Sequence, residues 1–135
     1  MSFSEVSHTA DVKIRAMAPT LESLFSEAFA ALMQVLYGQD RHGGKKRKIV
    51  LDAEDHESLL IDFLSEVLFI TEVDGLVFSG ADIRIKENHL DATLDGEPFD
   101  RRRHARGTEV KGISYSGLSI TRDANGYMLD IVFDV

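Results

Sequence analysis

The stretch NGYMLDIVFDV, residues 125–135, carries the clearest structural pattern in the chain. Apolar side chains occupy every second position from Tyr127 to Phe133, which is typical of a strand with one face in a hydrophobic core. The opposite face carries Asp130 and Asp134. The NG dipeptide favours a tight turn, because both residue types tolerate positive φ. We therefore expect a hairpin whose second strand runs to the last residue.

The sequence before this hairpin predicts further strands and two main helices. Thr20 and Asp55 are suited to cap the helices, because their side-chain oxygens accept hydrogen bonds from unpaired first-turn amides. Apolar residues recur at intervals of three and four after each cap. Loops are expected at 38–48 and 95–107, and a bend at Gly117. The expected strands lie at residues 12–16, 48–53, 81–85, 90–94, 110–122 and 127–135.

The order of elements is strand, helix, strand, helix and then four strands. Helices segregated from a mostly antiparallel sheet predict an α+β fold with two layers. A length of 135 residues suits one domain, and neither half is large enough to cover a core alone. We therefore treat residues 1–135 as a single domain.

Composition excludes several classes of protein. The chain has 15 Lys and Arg against 23 Asp and Glu, a net charge of −8, which opposes general binding to nucleic acid. It has no Cys, so a disulfide scaffold, a cysteine zinc site and a thiol nucleophile are excluded. No apolar run approaches the ~20 residues of a membrane span, and the N-terminal residues do not resemble a secretory signal. We expect a cytoplasmic protein with no membrane partner.

Basic residues nevertheless cluster in two places. One run is KKRK at residues 45–48, and the other is RRRHAR at residues 101–106. Each is interpreted either as a solvated loop or as a local basic patch that contacts RNA, and direct RNA binding stays open.

The acidic candidates lie near the two ends of the chain. Asp11 comes directly before the first alternating apolar residues, and Asp134 is followed only by Val135. If the first and last strands pair, Asp11 and Asp134 converge, with the chain-end carboxylate of Val135 nearby. Clustered carboxylates repel unless a cation neutralises them, and oxygen ligands favour Mg²⁺, Mn²⁺ or Ca²⁺. Asp130 shares the face of Asp134, so the two are either ligands or part of a solvated strand face.

Lys111 is a further candidate, because it follows the second basic run and alternates with Val110 in an expected strand. It is interpreted either as a solvent-facing strand lysine or as a point charge for a phosphate or a partner carboxylate.

Six short motifs, in order along nearly the whole chain, make the sequence similar to the archease family. Each motif is weak alone, but their order is specific. They are HTADV (8–12), TLESLF (20–25), LLIDFLSE (59–66), GE (96–97), EVKGISY (109–115) and VFDV (132–135).

The resemblance implies archease-like strand–helix–strand–strand modules, one inserted in another. It also implies an accessory factor, not an enzyme, for the GTP-dependent tRNA-splicing RNA ligase. That ligase joins a 3′-phosphate or 2′,3′-cyclic phosphate end to a 5′-hydroxyl end, after metal-assisted guanylylation of its own His. The accessory factor promotes this activation and lets the ligase turn over repeatedly.

The resemblance also assigns roles by position. Asp11 and Asp134 match the family's metal-binding acids, which implies a divalent metal ion (Ca²⁺, Mg²⁺ or Mn²⁺) as cofactor, and Val135 adds its carboxylate in our interpretation.

Lys111 matches the family's functional lysine, whereas His8 and Glu97 are weaker matches. Asp130 is our own inference from strand geometry. We expect Lys111, Asp130 and His8 to contact a partner or a phosphate.

Two other functions stay open. Some family members are tied to tRNA methylation, so the protein is alternatively a chaperone or specificity modulator of a tRNA methyltransferase that uses the basic runs. It is otherwise a metal-dependent hydrolase, in which carboxylates and metal activate water, although no general base stands out.

Overall fold

A computed structural model describes residues 2–5, 11–105 and 107–135 of the chain, and the α+β class is confirmed. The helices are α1 (Leu21–Tyr37), α2 (His56–Asp74) and the short α3 (Arg101–His104). The strands are β1 (Ser2–Glu5), β2 (Asp11–Ala18), β3 (Lys45–Asp52), β4 (Leu76–Lys86), β5 (His89–Pro98), β6 (Gly112–Asp123) and β7 (Gly126–Asp134).

The two long helices begin at the predicted caps. The Thr20 hydroxyl accepts a hydrogen bond from the Ser23 amide at 3.1 Å, and an Asp55 carboxylate oxygen accepts one from the Ser58 amide at 2.7 Å. Each bond satisfies an amide that has no partner within the helix. Gly75 ends α2 in the left-handed conformation, with φ of 64°, which a residue with a side chain rarely adopts.

The strands form two antiparallel sheets. The four-stranded sheet has the order β1-β2-β7-β6, so β2, near the start of the chain, lies beside β7, the last strand. The three-stranded sheet has the order β3-β5-β4. In the described part of the chain, no helix is long and apolar enough to span a membrane.

One hydrophobic core joins both sheets to α1 and α2. Phe63 of α2 is fully buried and lies with ring centroids 6.2 Å from Phe25 and 6.4 Å from Phe29 of α1. The predicted apolar face of β7 enters this core, as shown by buried Leu129, Ile131 and Phe133. The other face of the four-stranded sheet, which we call its outer face, carries charged and polar side chains toward solvent.

Several predicted boundaries are wrong. The basic run at residues 45–48 is not a loop but the start of β3, an edge strand. Residues 95–98, predicted as loop, extend β5, because all four pair with β4 and the first two also pair with β3. The rest of that predicted loop contains α3, and β1 has no predicted counterpart. Lys111 precedes β6 and is not a strand residue.

The closing hairpin is present, with a small shift. Its turn residues are Ala124 and Asn125, and Gly126 begins β7 with φ of 131°. The predicted bend in β6 is present as a bulge: Ser114 pairs with Val132, but the next pair joins Ser119 to Asp130. Gly117 lies within the bulge with φ of 76°.

Candidate metal site on the outer sheet face

The structure places Asp11 and Asp134 directly opposite each other. Asp11 is the first residue of β2, Asp134 is the last of β7, and the two are register partners in the antiparallel ladder. Directly opposite residues have Cβ atoms about 4.5–5.5 Å apart and point to the same face. The two carboxylates, which we call the acidic pair, therefore share the outer face of the sheet.

Both members of the acidic pair are exposed. Within the described residues, neither carboxylate takes part in an ion pair or a side-chain hydrogen bond. Gly112 faces Asp134 from β6, and a Cβ built there would lie 3.9 Å from Asp134 Oδ2. The lack of a side chain at Gly112 leaves this side of the carboxylate open.

Lys111 lies beside the acidic pair. Its backbone amide donates a hydrogen bond to the Asp134 carbonyl at 2.7 Å, which fixes the chain next to the end of β7. Its side chain is exposed. The buried side chain of Val110, 1% exposed, holds the preceding residue in the core, so Lys111 is carried on an anchored segment.

The remaining predicted residues have different positions. Asp130 shares the face of Asp134 but lies four residues away, about 14 Å along a strand, so the two cannot bind one ion. Asp130 is instead bound by Arg15, whose Nε donates to Asp130 Oδ1 at 2.8 Å. Val135 directly follows β7, and its half-buried side chain packs against the core. His8 lies outside the described residues.

The residues present fit a hard divalent cation. Ionised carboxylates only accept hydrogen bonds, and two of them directly opposite each other repel unless a cation neutralises them. No group of three His, Cys, Asp or Glu that is able to hold a metal occurs among residues 2–5, 11–105 and 107–135. The acidic pair would thus supply only part of a shell of six to eight oxygens, and further ligands would come from water or a partner.

Glu97 belongs to a second cluster, which lies on the three-stranded sheet and not on the four-stranded sheet that carries the acidic pair. Arg103 donates to both Glu97 oxygens, at 2.6 and 2.9 Å, and the His42 amide donates at 2.7 Å. These bonds lower the pKa of Glu97 to about 2, with the Arg103 hydrogen bonds as the main cause. Composition and spacing did not predict these contacts: Arg103 lies only six residues after Glu97, but the two residues belong to different elements, and His42 is 55 residues away.

Ion pairs neutralise most of the first basic run. Lys46 lies 3.6 Å from Asp95, Arg47 3.0 Å from Asp74 and Lys48 3.8 Å from Asp91. These carboxylates come from β5 and α2, so the neutralisation follows from the fold and is invisible in the local sequence.

Comparisons with known proteins find one family over nearly the whole chain. The model of the "Archease protein family (MTH1598/TM1083)" matches residues 3–135. Protein archease of Methanosarcina mazei is 33% identical over 139 residues, covering 98% of this chain and 95% of the relative. The solution structure of protein 1598 of Methanobacterium thermoautotrophicum has a TM-score of 0.80 at 26% identity, with 98% of each chain covered. A crystal structure from Thermotoga maritima, described as an archease and possible chaperone, shares the fold, with a TM-score of 0.69 at 21% identity and coverage of 98% and 96%.

Proposed function

This chain belongs to the archease family, and on that premise we propose that it activates the tRNA-splicing RNA ligase without catalysing a reaction itself. In this proposal it acts in the cytoplasm, promotes metal-dependent guanylylation of the ligase and supports its multiple turnover in tRNA splicing and RNA repair. The observation that carries the proposal is the direct pairing of Asp11 with Asp134 across β2 and β7.

The acidic pair suits a metal-carrying surface better than an enclosed catalytic centre. Both carboxylates lie at the end of their strands and are exposed, so a second protein can approach them. A divalent cation held there would keep open positions and would stabilise negative charge on phosphate oxygens. Asp11 and Asp134 would hold such an ion, because hard divalent cations prefer oxygen ligands, and a partner or water would supply the remaining ligands.

Lys111 is proposed to contact the partner or its phosphate-bearing substrate. The hydrogen bond from its backbone amide to the Asp134 carbonyl keeps the backbone beside the acidic pair, while the exposed ammonium is free to bind an anionic group. Asp130 is likewise proposed to contact the partner or a phosphate-bearing substrate, and it would do so while paired with Arg15.

The test is a guanylylation assay with purified ligase, labelled GTP and limiting Mn²⁺. Wild-type protein is expected to increase the fraction of guanylylated ligase and the number of ligation turnovers. Asp11→Asn and Asp134→Asn remove one charge each while keeping side-chain size, and we expect both to abolish the increase. Lys111→Ala is expected to weaken it.

Asp82→Asn is the matched control, because Asp82 is an exposed strand aspartate on the other sheet. We expect it to activate like the wild type. Full activation by both acidic-pair variants would contradict the proposal. Phosphate release by this protein alone with Mn²⁺, lost in Asp134→Asn, would favour the hydrolase and contradict the non-catalytic role.

The ion pairs of β3 do not favour the alternative partner, a tRNA methyltransferase served through RNA binding. Lys46, Arg47 and Lys48 each have an acidic neighbour within 4 Å, which reduces the net positive field available to phosphates. Tight tRNA binding at physiological salt, lost when these three residues are neutralised, would reverse this preference.

A further inference from the structure

Lys13 lies on the same sheet face as the acidic pair, at the next position on that face along β2. It is two residues after Asp11 on β2 and is the register partner of Val132 on β7. Residues two apart on a strand point to the same face and are about 7 Å apart. The Lys13 side chain thus emerges on the outer face next to both carboxylates, diagonal to Asp134 and in line with Asp11.

Lys13 differs from the next cation on its strand. Arg15 is held by Asp130 through bonds of 2.8 and 3.4 Å. Lys13 is exposed, and it takes part in no ion pair within the described residues. Its ammonium is therefore available to an anion from outside, whereas the guanidinium of Arg15 is already engaged.

A cleft opens on this face beside Lys13. The β6 bulge leaves residues 115–118 outside the ladder, and β6 departs from β7 at this point. A cleft of about 210 Å³ results, lined by Lys13, Arg15, Gly117, Asp130 and Val132 among others. Gly117 has φ of 76°, and only the Val132 methyl lies within 4 Å of a Cβ built on it, so the bulge keeps the cleft open.

We propose that Lys13 and a metal ion on the acidic pair together bind a phosphate group at the mouth of this cleft. The metal ion in this inference rests on the proposed function. The role of Lys13 rests on its position next to the acidic pair on the outer face, on its ammonium without an ion pair among the described residues, and on the cleft. Lys13 and Asp11 lie about 7 Å apart along β2 and the lysine side chain is long and flexible, so a phosphate held by a cation on the acidic pair would be within reach of the Lys13 ammonium. The chemistry is that of a phosphorylated ligand, either a nucleotide or a phosphorylated RNA end.

The test compares two titrations whose responses to Lys13→Ala have opposite signs. In the first, Ca²⁺ alone is titrated into the protein by calorimetry. Lys13 repels the cation, so its removal is expected to tighten Ca²⁺ binding by about two- to fivefold, given two charges about 7 Å apart in water. In the second, pyrophosphate is titrated with Ca²⁺ present, and Lys13→Ala is expected to weaken its binding about five- to tenfold.

Lys45→Ala is the matched control, since Lys45 is an exposed strand lysine on the three-stranded sheet, and we expect neither affinity to change. Lys13→Arg keeps the charge and is expected to restore most of the pyrophosphate affinity. Tighter Ca²⁺ binding with unchanged pyrophosphate binding would make Lys13 a simple counter-ion and overturn the inference. A parallel loss of both affinities would indicate a structural defect and would also overturn it.

The design separates this inference from the proposed function. If the wild type binds no Ca²⁺, the metal site fails, and pyrophosphate titrated without metal still tests Lys13 through the same variants. ATP and a 5′-phosphorylated trinucleotide, each titrated in place of pyrophosphate, distinguish the two sources of phosphate. The ligand that binds more tightly than pyrophosphate and shifts the amide signals of Gly117 and Val132 in NMR spectra is assigned to the cleft. If neither ligand shifts the amide signal of Lys13, the inference is overturned.

Discussion

Replacing Glu97 by Gln should destabilise the fold in a pH-dependent way. The Glu97 side chain is 14% exposed and receives hydrogen bonds from Arg103 and from the His42 amide. It also faces the buried His104, whose Nε2 lies 3.2 Å away. The Asp100 amide can only donate, and it bonds to Nδ1 of His104, so Nε2 carries the proton and donates to Glu97. A Gln at this position would keep the shape but lose the charge that binds Arg103.

The magnitude follows from the pKa of Glu97, which falls from an ordinary value of 4.5 to about 2. This difference corresponds to about 3 kcal/mol, and solvent screening of the partly exposed Arg103 reduces it to about 2 kcal/mol. Because the folded pKa is lowered, the stabilisation is complete above pH 4.5. It is lost as the pH falls from about 4.5 toward 2.

Urea unfolding followed by circular dichroism at several pH values tests this reasoning. We expect Glu97→Gln to lower the free energy of unfolding by about 2 kcal/mol at pH 7, and the difference from wild type to shrink below pH 4.5. Glu72→Gln, at an exposed position on α2, is the control and should change stability by less than about 0.5 kcal/mol. A loss that is the same at pH 7 and pH 3 would refute the role of the charge.

Three further substitutions test the packing. Gly107→Ala should lower stability by about 3 kcal/mol, because its Cβ would collide with the Leu36 carbonyl at the end of α1, and the thermal midpoint measures this. Phe63→Ala should cost about 3–5 kcal/mol in urea unfolding, since it empties a fully buried site between the two long helices; a cost below 1 kcal/mol would contradict the packing described. Arg15→Met should leave the thermal midpoint nearly unchanged, because its ion pair with Asp130 is exposed to solvent, and a clear loss that persists at high salt would be inconsistent with this.

Local chemistry in the sequence predicted the elements whose causes are local. Thr20 and Asp55 cap helices with their own side chains, and the alternation in β7 follows from the burial of one strand face. The sequence could not reveal that KKRK at residues 45–48 begins a strand. That strand depends on partners in β5 and on acids more than 25 residues away, so tertiary pairing overrides a local pattern typical of a loop.

The candidate site divides in the same way. The strand ends bearing Asp11 and Asp134 were recognisable, and their convergence depended only on whether two strands pair, which the structure shows. The ion pair between Arg15 and Asp130 depends on the register of β2 against β7. The alternation in the sequence predicts which face of the sheet a residue occupies, but it does not predict which residue lies opposite on the neighbouring strand. Gly112 and Lys13 were not predicted as part of the site, because each comes close to Asp134 only through the strand pairing in the folded sheet.

The central claim is that Asp11 and Asp134 hold one divalent cation between β2 and β7. Paramagnetic broadening of backbone amide signals by substoichiometric Mn²⁺ measures this directly. We predict that broadening concentrates at Asp11, Gly112 and Asp134 and disappears in Asp134→Asn, while Asp82→Asn behaves like the wild type. Broadening centred on other carboxylates, or unchanged in Asp134→Asn, would contradict the claim.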